Sequence, residues 1–464
     1  MDMVVTEPDS DELTDRFDAS GPGYTSYPTS DRFVEAFSFN EYIQSLELRR
    51  SGVAVMSLPL AIYVHIPFCE SLCYYCTSHK IITKHHDRAT SYLRYLSLEI
   101  DLQTQHLGLG QKVSKLHLGG GTPTFFSDEE LRELMGMLHR SFMLAVDAEY
   151  SVKVDPRVID SSRMDTLAEL GFTRLSFGVQ DFDPVVQKAV HRVQSEKQVI
   201  ALVEMARQRA FTTNVDLIYG LPSQSPDSLE RTLALVIALR PEQITLIAYT
   251  HLPERFKFQK RIDAAKLPDG ASKATMLSGS VVTLIAAGYV HLGMGHFALS
   301  TDALAVAKRQ GRLHRSLQGY SIQSDCDVIG LGVSSMSRIG ATYSQNAKTL
   351  DEYCNYLDQG HFPVVRGLAL SRDDLVRRAV IMSLVCHGEI LFESIELGYL
   401  VEFGSYFAFE METIKKLADQ GLVTLDESGI QVTSKRVFSL RAVAMVFDCY
   451  LQADRTRARF SKII

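Results

Sequence analysis

Three cysteines fall within eight residues of one another, in the run Tyr63-Val-His-Ile-Pro-Phe-Cys69-Glu-Ser-Leu-Cys73-Tyr-Tyr-Cys76. Gaps of three and two residues put three thiolates on one short loop, able to hold three corners of a cubane iron–sulfur cluster. A structural or electron-transfer cluster normally takes four cysteines. Three leave one iron open, much as a catalytic zinc keeps a position free. An open iron can chelate the amino and carboxylate groups of S-adenosylmethionine. One-electron reduction then splits that molecule into methionine and a hydrogen-abstracting 5′-deoxyadenosyl radical. The expected metal ligands are therefore Cys69, Cys73 and Cys76, around a 4Fe-4S cluster. The competing reading is zinc, with His79, His85 or His86 as a fourth ligand, but structural zinc usually draws on two paired ligand clusters. Cys326, Cys354, Cys386 and Cys449 are scattered singly and read as small buried hydrophobes.

Gly119-Gly120-Gly121-Thr122-Pro123-Thr124 is the second candidate. Glycine lets a backbone approach a ligand closely, and the bland reading is a tight strand-to-helix turn. The elements that must position both segments are legible as an alternation. Short apolar runs at Leu60–Ile66, Lys115–Leu118, Tyr150–Val154, Arg174–Phe177, Asn214–Tyr219 and Gln243–Tyr249 read as strands. Longer segments such as Ala89–Gln105, Asp128–Arg140, Glu196–Arg209 and Pro226–Ala238 read as helices. Such alternation implies right-handed crossovers and a parallel sheet. Six units in ~200 residues fit an α/β partial (β/α)6-type barrel better than a closed eight-fold one. Its active-site loops follow the strand C-terminal ends, where both motifs lie.

The first 49 residues read as an arm, residues 50–310 as the partial barrel, and 311–464 as a mostly helical C-terminal domain. Segments 372–387, 393–420 and 435–455 look helical, and Gly421–Thr433 reads as a small hairpin. Hydrophobic residues at 46% and charged residues at 22% are ordinary for a soluble globular chain. The net charge of −7 argues against a broad nucleic-acid surface. Seven cysteines, an odd number, argue against a disulfide framework. Without a signal sequence or an apolar run of ~18 residues, the chain is expected in the cytoplasm, with no membrane span, as a monomer.

These residues resemble the radical S-adenosylmethionine superfamily, and within it the oxygen-independent coproporphyrinogen III oxidase (dehydrogenase) family. The likeness runs nearly end to end. It rests on Gly-Pro-Gly-Tyr-Thr-Ser-Tyr-Pro-Thr (21–29), the cysteine loop, the glycine run, and Val-Asp-Pro-Arg (154–157). Gly-Val-Gln-Asp-Phe (178–182), Asp-Leu-Ile-Tyr-Gly-Leu-Pro (216–222), Gln-Gly-Tyr (318–320), Leu-Ser-Arg-Asp-Asp (370–374) and Gly-Ile-Gln-Val-Thr (429–433) extend it. The resemblance implies oxidative decarboxylation of two propionates of a tetrapyrrole substrate to vinyl groups. An electron donor and an acceptor would serve the reaction. It also implies two S-adenosylmethionine molecules. Tyr63, Tyr75 and Gly120 would contact the cluster-bound one, and Gly121, Thr122, Gln180, Arg192 and Asp216 the second. Thr250 and Met336 occupy further contact positions, through backbone or packing.

The chain departs from the family pattern at four places. Ser78 replaces a cysteine, Lys153 a glutamate that binds the nucleoside cofactor, Gly295 an aspartate and Gly23 an arginine. Core and turn residues match while these polar ones do not, so the expectation is a formed cluster and bound cofactor with altered or weakened turnover. The alternatives are a heme-binding chaperone, with His296 and His79 as axial ligands, and a radical enzyme acting on heme.

Overall fold

Leu60–Ile66 is apolar on both faces, and only Tyr63 within it is less than fully buried. Such a run suits the middle of a parallel sheet covered on both sides. The structure, a computed structural model, describes residues 21–52, 59–323, 326–433 and 439–453. Its longer strands, in chain order, are β1 (Leu60–Ile66), β2 (Gln111–Gly120), β3 (Phe142–Val154), β4 (Arg174–Gln180), β5 (Thr212–Tyr219) and β6 (Gln243–Ala248). They continue with β7 (Tyr289–Gly293), β8 (His296–Leu299), β9 (Asp327–Leu331), β10 (Met336–Ile339), β11 (Thr342–Asn346) and β12 (Val364–Ala369). All six strands expected from the alternation form.

The chain divides into two compact units, each discontinuous in sequence. The first holds residues 30–216 and 325–370. Its strand order is β12-β11-β10-β9-β1-β2-β3-β4, followed by β5 as far as Asp216. β1 pairs in parallel with β2 and with β9, and β3 pairs in parallel with β2 and β4. The helices Asp87–Leu107, Asp128–Ser141 and Glu196–Gln208 fall within two residues of their expected bounds. Ser127 with Glu130, and Ser195 with Gln198, start two of them as reciprocal capping boxes.

The linear division of the chain at 49 and 310 differs from this interleaving. Residues 39–51 are not a loose arm but a helix, Phe39–Ser51, opened by a Ser38–Glu41 capping box. It buries Tyr42 and Leu46, and Arg49 pairs with Asp327 inside the unit. The turn signals at 21–28 hide it, because its apolar residues follow no clean stripe. Residues 327–369 are likewise not helical cover. They form β9 to β12, with the helix Leu350–Asp358 between β11 and β12; β9 is buried at every position, parallel to β1 on one side and followed by antiparallel strands on the other. A strand five residues long, far in sequence from its partner, leaves little periodic signal.

The second unit holds residues 21–29, 217–323 and 371–453 as far as they are described. β7 and β8 form a hairpin whose loop residues Met294 and Gly295 both have positive φ, 48° and 77°. That is the backbone of a tight two-residue turn, for which glycine at the second place is favourable. The helix Arg372–His387 forms as expected. Segment 393–420 breaks into Phe392–Tyr399, Phe403–Tyr406 and Ala408–Asp419, with Leu400 left-handed at φ 53° at the first break. The hairpin at 421–433 forms from Val423–Leu425 and Gly429–Val432, and Glu389–Leu391 adds a third strand. Of segment 435–455, residues 435–438 and 454–455 lie outside the described residues; Ser439–Val446 and Cys449–Ala453 are helical. The arm residues Tyr24 and Tyr27 are buried in this unit's core, and the Tyr24 hydroxyl donates to Asp448 at 3.0 Å. No described helix is long and apolar enough to cross a membrane.

Candidate active site

The cysteine loop leaves β1 at Ile66 and is tied down at both ends. Phe68–Cys69 pairs in parallel with Ile81–Ile82, and the Thr83 amide donates to the Cys69 carbonyl at 3.0 Å. From the glycine run, the Gly121 and Thr122 amides donate to the Ile66 and Phe68 carbonyls, each at 2.8 Å. Lys80 Nζ donates to the Cys76 carbonyl at 2.9 Å, and the Tyr74 ring stacks on His191 at 5.0 Å. The glycines are needed for this contact. A Cβ at Gly121 would lie 2.6 Å from the Phe68 carbonyl oxygen, and one at Gly120 (φ 104°) would lie 2.8 Å from the His65 ring. The chain's own loop therefore takes the close approach that the glycines permit.

All three thiols are free. Thr122 Oγ1 lies 3.5 Å from Cys69 Sγ, and Arg192 Nη1 lies 3.7 Å from Cys73 Sγ. Burial pushes the Cys69 thiol up to about 11, and the neighbouring Cys76 and Cys73 sulfurs push the same way. So the three are within electrostatic reach of one another. Among the described residues, no three ligands converge as they would on a single ion. Cysteines of a cubane each bind a different iron and stand further apart. Three cysteines on one short loop suit a cluster, in which each thiolate binds a different iron. A nearby guanidinium and hydroxyl would stabilise the thiolates that iron requires.

Beside the loop lies a polar group that the cysteine motif did not announce. Arg192 donates to Asp155 at 3.2 and 3.4 Å and to the Gly178 carbonyl at 3.0 Å. Arg157 donates to the same carboxylate at 2.7 Å. Burial alone would raise Asp155, but hydrogen bonds from Arg157 and the charges of both arginines bring it down to about 2. Asp155 and Arg157 went unassigned although their motif, Val-Asp-Pro-Arg, ends β3. Their place at a strand terminus was the available signal. Gln180, at φ 66°, and Arg192 each keep a buried atom, Oε1 and Nε, without a hydrogen-bond partner among the described residues. Asp216 accepts from Asn214 Nδ2 at 2.8 Å and from Ser176 Oγ at 3.4 Å, and faces Lys153 Nζ at 3.6 Å.

A second missed group stands on β1. Burial lowers His65 to about 4, so the ring is neutral. Its Nε2 reaches the His79 carbonyl at 3.1 Å, which can only accept, so Nδ1 accepts the Tyr63 hydroxyl at 3.1 Å. The first unit thus contains Tyr63, Tyr75, Gly120, Gly121, Thr122, Gln180, Arg192, Asp216 and Met336 with the three cysteines. Met336 opens β10 with its backbone against Gly330, the residue paired with Tyr63. Thr250 belongs to the second unit, after β6. Ser78 is exposed on the loop, and its carbonyl accepts from Lys80 at 3.5 Å. The chaperone candidates His79 and His296 fall in different units, and Thr245 Oγ1 lies 3.3 Å from His296 Nδ1.

Comparison with known proteins agrees with this geometry. Residues 63–236 match the radical SAM superfamily, and residues 370–436 match the family described as the HemN C-terminal domain. An oxygen-independent coproporphyrinogen III oxidase of Pseudomonas aeruginosa is 46% identical over 98% of both chains. One of Escherichia coli is 43% identical over 100% of both. The solved structure of the Escherichia coli coproporphyrinogen III oxidase, described as a radical SAM enzyme, superposes with a TM-score of 0.88. It covers 92% of this chain and 97% of that one.

Proposed function

The chain belongs to the oxygen-independent coproporphyrinogen III oxidase family of radical S-adenosylmethionine enzymes, and from that membership we propose how its own residues serve the reaction. The reaction is the oxidative decarboxylation of coproporphyrinogen III propionates to vinyl groups without oxygen. The cofactors are a 4Fe-4S cluster and S-adenosylmethionine, which when bound together supply one-electron cleavage and a hydrogen-abstracting radical. Cys69, Cys73 and Cys76 hold the cluster. Thr122 and Arg192 stabilise two of these thiolates through the contacts at 3.5 and 3.7 Å. Tyr63, Tyr75 and Gly120 flank the cluster-bound nucleotide. Gln180, with its orphaned Oε1, offers an acceptor to a nucleotide ammonium or hydroxyl, as do Gly121, Thr122 and Asp216 in a second nucleotide position. Thr250 and Met336 contribute backbone or packing. Lys153 competes for Asp216, so cofactor binding at that carboxylate is weakened and turnover falls below that of relatives with an acid at 153.

The observation that carries this reading is the cysteine loop itself, three free thiols fastened at a strand end beside an arginine–aspartate pair. The test is anaerobic incubation of reconstituted protein with reductant, S-adenosylmethionine and coproporphyrinogen III, reading 5′-deoxyadenosine and tetrapyrrole products separately. Both should appear. Deoxyadenosine alone would separate cofactor chemistry from this substrate, and neither product from an iron-loaded protein would overturn the reading.

A further inference from the structure

Among the described residues, two guanidinium groups of the second unit are not matched by an acid. Arg441, on the helix Ser439–Val446, lines a cavity of ≈ 100 Å³ with Tyr219, Leu246, His291, Gly295 and Leu440. Among the described residues it makes no hydrogen bond and no ion pair. Arg315 is 7% exposed, and its Nε and Nη2 donate to the Tyr24 and Gly23 carbonyls, each at 3.2 Å. Its guanidinium lies over the Tyr320 ring at 4.5 Å, and Nη1 is left buried with no acceptor. Burial holds Arg441 below its ordinary value, and the Arg315 cation pushes the same way. His291 adds no charge, since burial lowers it to about 3.

Two cations in a largely apolar setting, one with an orphaned N–H and the other beside open space, are costly until an anion enters. A guanidinium fork matches a carboxylate in two parallel hydrogen bonds. The Tyr219 hydroxyl, raised to about 12 by burial, remains a neutral neighbour able to donate. The cavity is somewhat smaller than a cavity of ~150 Å³ that admits a benzene ring, a size that suits a short carboxyalkyl arm and not a whole macrocycle. Leu246 and Leu440 in its wall suit a hydrocarbon stem better than a fully hydrated phosphate.

We propose that this cavity receives one carboxylate arm of the tetrapyrrole substrate, with Arg441 as its charge partner. The proposal rests on the substrate reading above.

The test uses the full-length, anaerobically reconstituted protein as wild type, Arg441→Met and Arg441→Lys. Each is titrated with coproporphyrin III and with its tetramethyl ester, and iron content is measured in parallel. Arg441→Met should weaken binding of the free acid at least tenfold with iron content unchanged. Arg441→Lys, which keeps the charge and loses the fork, should weaken it severalfold. The ester should bind wild type and Arg441→Met alike. Equal affinity of wild type and Arg441→Met for the free acid would overturn the carboxylate site and leave the substrate reading standing. Failure of iron-loaded wild type to bind the free acid at all would sink the substrate reading, and this site with it. Should Arg441→Met not fold, wild type compared between acid and ester decides, because equal affinities refute the site.

Discussion

Asp216 faces Lys153 across 3.6 Å, with the lysine side chain 39% exposed. A pair so open to water contributes ~0–1 kcal/mol, so its loss should barely affect folding. Its effect is on charge. Lys153→Glu would set two carboxylates where one is now neutralised, an arrangement that disfavours itself until a cation arrives. Without nucleotide, that variant should be less stable than wild type by about 1 kcal/mol in chemical denaturation. With S-adenosylmethionine, which carries a sulfonium and an ammonium, it should gain more stability than wild type does. An equal gain would mean that position 153 does not sense the nucleotide. Ser78 differs in kind, since it is exposed and its carbonyl, not its hydroxyl, accepts from Lys80. Nothing in the structure explains its presence in place of a cysteine.

The helix Asp87–Leu107 is joined to the sheet's antiparallel side through one buried acid. Glu99 accepts from the Gly332 amide at 2.7 Å, the Tyr353 hydroxyl at 2.7 Å and Asn346 Nδ2 at 2.6 Å. Burial outweighs these bonds and lifts its carboxyl to about 7. An acid raised in the folded state binds more protons there than in the unfolded chain, whose value is ~4.3. Its contribution is therefore whole below that value and is lost as pH rises through about 7. Stability should fall over this window by at most ~1.4 kcal/mol per pH unit from this group. Glu99→Gln cannot ionise, so its unfolding free energy should change less than that of wild type between pH 5 and 8. Parallel pH profiles for the two proteins would show that Glu99 stays charged in the fold.

Over the whole molecule, the chain passes between its two units at 29–30, 216–217, 324–325 and 370–371. Neither unit is a continuous segment. A fragment ending at residue 310 would retain β1 but lose β9, which pairs with it from Leu60 to Val64. That exposes the edge of an almost wholly buried strand, an invitation to intermolecular pairing. Such a fragment should elute from size exclusion as aggregate, whereas the 464-residue chain should not. A monomeric fragment with native strand content by circular dichroism would show that the added strands are dispensable.

The amino-acid sequence alone determined whatever depends on residues close together along the chain. The cysteine spacing, the glycine run at the end of β2 and the six alternating strands are of this kind, as are helix starts such as Ser127 with Glu130. Local hydrogen bonding and side-chain periodicity write these directly into the order of residues. Only the tertiary structure decided that β9 to β12 join the sheet beside β1, and that Lys153 meets Asp216. The same is true of Arg192 reaching Asp155 and Cys73, and of the unmatched Arg441. Each depends on residues distant in sequence that meet, or leave a cavity, only once packing closes the chain on itself, and so leaves no periodic trace.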